Sequence, residues 1–219
     1  MFVGVKYMNI LIKFKDLLVE SLTDNKKLII GLYVIFIVIF ILAWILSGSI
    51  VGSYLTNTTY IPGEDYSGHT DSLDLFIHNG EGGIITYVTS VFFAIPAILV
   101  LVYNAVNLAI VGQLLGVLVP NGSMRYLVYL IPHGIFEITA TIIQSAAGIM
   151  LFMFILRFIK AWRSSETQGA SEAFEKTKKI VIQSIVLMIF SVILLLIAAP
   201  IEAYISVPFS ELLFGSVPG

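Results

Sequence analysis

The chain has 219 residues, 58% of them hydrophobic and 12% charged, with a formal net charge of −2 and no cysteine. A water-soluble domain carries about 25% charged residues, so this composition excludes an ordinary soluble fold. The absence of cysteine excludes a disulfide frame and a thiolate metal site.

In chain order, residues 1–27 come first. They lack the short apolar core and small-residue cleavage site of a signal peptide. Phe2, Val5, Ile10, Leu11, Phe14, Leu17, Leu18 and Leu22 instead suggest an amphipathic helix lying on the inner membrane face. Five charge-free stretches follow, Leu28–Leu46, Ile84–Val119, Tyr126–Phe136, Ile138–Leu156 and Ile180–Ile201. A membrane span needs about 20 mostly apolar residues, and helices satisfy their own backbone groups in lipid. As one helix, 84–119 would run about 54 Å against a hydrocarbon core of about 30 Å. It is therefore read as two helices with a tight turn near Tyr103–Asn104, the first kinked at Pro96. Pro132 interrupts 126–156, which is read as one helix with a kinked or restarted end. The expected fold is an all-α polytopic transmembrane bundle of about five spans, forming one membrane domain over 1–219.

Charge placement orients that bundle. Lys6, Lys13, Lys15, Lys26 and Lys27 precede the first span, and Arg157, Lys160, Arg163, Lys176, Lys178 and Lys179 lie between the last two. The 47–83 loop has no Lys or Arg but carries Glu64, Asp65, Asp71, Asp74 and Glu81. The positive-inside rule puts the N-terminus and the 157–179 loop in the cytoplasm, and the 47–83 loop and C-terminus outside. Arg125 is the one basic residue on the wrong side. Asn57-Thr58-Thr59 is a formal glycosylation sequon.

Ionisable side chains at membrane depth are costly and face a protein interior or cavity. His133, Glu137 and Glu202 qualify. His133 and Glu137 are four apart, hence on one helix face, and Thr141, Gln144, Ser145 and Gly148 continue that face. With this topology His133, Glu137, Glu202, His78 and Asn79 fall in one layer near the outer interface. Three readings compete for the layer. One is a hydrogen-bonded latch holding helices together, with no catalytic role. Another is a small transporter or ion-coupled permease using Glu137 and Glu202 as carriers. The third is a metal-dependent membrane hydrolase, with His133, Glu137, Glu202 and His78 as N/O ligands for zinc or another divalent cation. The spacing lacks the second histidine of H-E-x-x-H, and outside this third reading no cofactor is expected. Gly112-x-x-x-Gly116, after Ala105 and Ala109, reads as a close-packing face, and Pro132, Gly134 and Gly148 join the helix-packing set. Glycine-lined faces also permit a homodimer. The bilayer is the expected environment, and no nucleic-acid partner is expected.

The run Leu130-Ile-Pro-His-Gly-Ile-Phe-Glu-Ile-Thr-Ala140, continued by Gln144-Ser-Ala-Ala-Gly148, resembles the P-H-G-x-x-E signature of the stage II sporulation protein M family. Ile201-Glu202-Ala203 before Pro208 is similar to that family's closing I-E-A motif, and Ile77-His78-Asn79 to the pair opening its second span. The family's Asn-Gly at the third span is Asn104-Ala105 here. The resemblance covers roughly residues 10–210. It implies an integral membrane scaffold or anchor of a prokaryotic cell envelope, working with an envelope-associated protein. In sporulating bacteria such a subunit recruits cell-wall hydrolases.

Overall fold

The computed structural model describes residues 2–57 and 72–215, with side chains except those of residues 2–9, 49–57 and His78. Thr58 and Thr59 of the sequon, and the loop residues 58–71, lie outside the described residues. The elements are α1 (Phe2–Asp24), α2 (Lys26–Asn57), α3 (Ser72–Thr89), α4 (Ile95–Leu118), α5 (Gly122–Trp162) and α6 (Ala170–Ile201). A π-helical turn (Glu202–Ser206) then leads into α7 (Val207–Phe214). Among the described residues there is no strand, so backbone groups are satisfied within each segment, as lipid requires.

Among the described residues four helices are long and apolar enough to cross a membrane: α2, α4, α5, and α6 with its continuation through α7. The fifth crossing expected from the sequence corresponds to α3. At 18 residues it runs about 27 Å, and with Asp74, His78, Asn79 and Glu81 it is less apolar than the four.

The break inside 84–119 falls elsewhere than the sequence suggests. It lies at Ser90–Ala94, between α3 and α4, not at Tyr103–Asn104. Pro96 stands in the first turn of α4, where its missing N–H has no partner to lose, so it starts a helix and does not kink one. Ser90 Oγ donates to Thr86 O at 2.7 Å, occupying a carbonyl at the helix end. Asn104 sits within α4, and its amide donates to Val100 O at 2.9 Å, one turn back. Its polarity is absorbed by its own helix, and no turn is needed there.

Side-chain contacts fix which helix ends lie together. Lys179 of α6 meets Glu20 and Asp24 of α1 at 2.7 and 2.9 Å, and Gln183 Nε2 donates to Asp24 Oδ2 at 2.8 Å. The start of α2 and the start of α6 therefore share one end of the bundle. At the other end, Gln113 Nε2 of α4 donates to Trp44 O of α2 at 3.0 Å, and Asn121, at φ 58°, turns the chain from α4 into α5. Arg125, the charge that broke the sequence pattern, donates to the Phe214 and Gly215 carbonyls at 2.6 and 2.7 Å. It caps the C-terminus of α7, where the helix dipole favours a cation. Much of the 157–179 segment is helical, because α5 and α6 extend beyond their apolar stretches and meet at a turn.

The long helix α5 is central, packed against α6, α4, α2 and α3. Leu101, Ala105, Ile142, Ala146, Ala147 and Leu187 are fully buried between these helices. Small residues permit the close approach. A Cβ on Gly148 would lie 2.9 Å from Ser90 Oγ and 3.0 Å from Ala97, and one on Gly112 would lie 2.2 Å from the Trp44 ring. The face formed by Ala105, Ala109 and Gly112 is buried. Gly116 faces Ser123 across the α4–α5 turn. Gly134 is buried against its own Leu130. Pro132 sits inside α5 without ending it.

Candidate functional site

Two helix segments build the site. On α5, Tyr129, His133 and Glu137 recur every four residues and so project from one face. On α6, Pro200 has no N–H to give Leu196, and Pro208 likewise leaves Tyr204 O without its donor. The π-helical turn lies between these two prolines. Such turns relieve a broken hydrogen-bond ladder and re-aim side chains. Here it brings Glu202 and Ser206 against the α5 face.

His133 is 2% exposed. Its Nδ1 lies 2.8 Å from Ser206 Oγ, and Ser206 Oγ donates to Ile201 O at 3.2 Å. Its Nε2 lies 3.8 Å from Glu137 Oε2, and the Tyr129 ring packs edge-on against the imidazole at 5.0 Å. The other carboxylate contacts come from neighbours. Asn79 Nδ2 of α3 donates to Glu137 Oε1 at 3.3 Å, and Tyr129 OH donates to Glu202 Oε1 at 3.1 Å. One ligand-type atom from each of His133, Glu137 and Glu202 lies within 4.8 Å of the other two. An imidazole nitrogen and two carboxylates match the donor set of a borderline divalent metal such as zinc.

A cavity of about 330 Å³ borders the cluster through Glu137 and Asn79, and continues past Thr141 and Asn104 to Gln144. Gln144 is buried beside Gly83, and its Nε2 has no hydrogen-bond partner. It belongs to the cavity and is not hydrogen-bonded into the cluster. Glu137 thus sits where the cavity meets the cluster.

The residues singled out from the sequence divide accordingly. His133, Glu137, Glu202 and Asn79 come together, across three helices. The side chain of His78 lies outside the described residues. Two partners were missed, Tyr129 and Ser206. Each stands four residues from a recognised member, Tyr129 before His133 and Ser206 after Glu202, so a one-turn search around each ionisable residue would have found both.

These features define a multi-pass helical membrane protein with a half-buried imidazole–dicarboxylate cluster between α3, α5 and the end of α6. The chain belongs to the stage II sporulation protein M family, whose model matches residues 31–207. No curated protein and no solved structure matches it.

Proposed function

We propose that the protein is a non-enzymatic scaffold of the cell envelope, holding an envelope-associated partner from within the membrane. The observation that carries this reading is the cross-tying of the site. Three hydrogen bonds, Asn79–Glu137, Tyr129–Glu202 and His133–Ser206, join α3, α5 and the end of α6. Such ties suit a platform of fixed shape. In this reading the end bearing Lys179 faces the cytoplasm, with α1 along the inner surface. The chain forms one membrane domain, and the acidic 47–83 loop is presented outside above the cluster.

The test is recovery of the partner. Mild cross-linking of native membranes, followed by purification of the tagged protein, should yield a specific envelope protein in stoichiometric amount. Deleting residues 58–71 should abolish that recovery while leaving the protein in the membrane. Repeated purification without any enriched envelope protein would remove the basis for the scaffold reading.

A further inference from the structure

The hydrogen bonds around His133 accommodate a neutral ring with its proton on Nδ1. A serine hydroxyl has one proton to donate, and that of Ser206 is directed at Ile201 O. With the hydroxyl so directed, its oxygen accepts from His133 Nδ1–H at 2.8 Å. The neutral ring is left with a lone pair on Nε2. That nitrogen is buried and points at Glu137 Oε2 from 3.8 Å, too far for a hydrogen bond.

Both carboxylates are arranged the same way. Glu137 uses Oε1 to accept from Asn79, and Glu202 uses Oε1 to accept from Tyr129. Each of the three groups is thus held by a neutral donor or acceptor, and one ligand-type atom of each lies within 4.8 Å of the other two. Two carboxylates and an imidazole lone pair this close, in a site half-shielded from water, concentrate negative charge, which is unfavourable. A cation at the centre removes the conflict.

We propose that His133, Glu137 and Glu202 coordinate a divalent transition-metal ion of the zinc class, with Ser206, Asn79 and Tyr129 as the residues that orient them. Atoms no more than 4.8 Å apart leave a central point within about 2.8 Å of each. Zinc bonds to nitrogen and carboxylate oxygen are about 2.0–2.2 Å, so closure requires each side chain to move by less than about 1 Å. The imidazole disfavours calcium and magnesium, which take all-oxygen shells. Three protein ligands leave a fourth position, and the cavity bordering Glu137 is where a water or a small ligand would reach it. The paired hydrogen bond on the second imidazole nitrogen is what metal-bound histidines ordinarily make. This assignment is independent of whether the protein anchors a partner.

The full-length protein, purified in detergent, stripped with chelator and refilled, provides the test. Elemental analysis should find one zinc per chain in the presence of excess magnesium, and cobalt substitution should give a visible absorption band. Ser206→Ala and Tyr129→Phe should weaken zinc binding by about 10–100-fold, the range for residues that orient metal ligands. His133→Ala should abolish it. Should that variant fail to elute as a single folded species, Glu137→Gln, which keeps the side-chain shape, carries the same expectation. Folded wild-type protein that takes up neither zinc nor cobalt overturns the proposal. So does zinc content unchanged in whichever ligand variant folds.

Discussion

At the residue scale, the distinction between close packing and spare room can be tested with two glycines. A Cβ on Gly122 would lie 1.8 Å from Leu115 O, a backbone atom held by the α4–α5 turn. One on Gly83 would lie 2.3 Å from Gln144 Nε2, the far end of a flexible side chain beside a cavity. Backbone cannot retreat, whereas the Gln144 amide has no hydrogen bond to lose. Gly122→Ala should therefore destabilise the protein by about 3 kcal/mol, at the upper end of overpacking costs, and Gly83→Ala by less than about 1 kcal/mol. Unfolding in detergent measures both, and equal losses would contradict the packing described. The same scale explains which site residues were legible. His133, Glu137 and Glu202 stand out because ionisable groups are rare in apolar helices. Tyr129 and Ser206 do not, since tyrosine and serine occur in membrane helices without comparable cost. Only the approach of the π-helical turn to α5 gives them partners.

At the element scale, α1 is held by charge as well as by Leu18 and Leu22 packed on the core. The Lys179 ammonium, and after it the Gln183 amide, hold the Asp24 carboxyl below its usual range. A carboxyl lowered on docking contributes attachment that is complete above its ordinary value of 3.8 and is lost as pH falls through the lower, docked value. Spin labels on α1 and α6 should therefore keep one separation at about pH 7 and move apart only in strong acid, well below pH 4. High salt should loosen the contact in the same direction, because these groups are exposed. A separation that lengthens between about pH 7 and pH 5 would assign the docking to other groups. The sequence showed an amphipathic segment here, but it could not show that α6 provides part of its cover. That cover comes from a helix about 150 residues later, and no local pattern encodes it.

At the scale of the whole molecule, orientation is the main expectation still to be measured. The natural absence of cysteine makes single-cysteine labelling clean. Ser165→Cys, in the turn between α5 and α6, should react with an impermeant reagent only after the membrane is opened. Pro120→Cys, in the turn between α4 and α5, should react in intact cells. The reverse pattern would invert the proposed topology. The shared end defined by Lys179, Glu20 and Asp24 means that one correctly assigned turn orients every helix.

Composition and the spacing of charge were sufficient to determine a multi-helix membrane protein, because lipid leaves a chain of this apolarity little other choice. The motif residues were legible for the same reason, and with them the family. The tertiary structure decided the turn at 90–94 instead of 103–104, the capping role of Arg125, and the separation of Gln144 from the cluster it shares a helix face with. It also decided that His133, Glu137 and Glu202 converge to within 4.8 Å. Membrane depth can be read along one helix at about 1.5 Å per residue. Distance across the membrane plane depends on which helices pack together, and that is settled by small residues and prolines acting between segments remote in sequence.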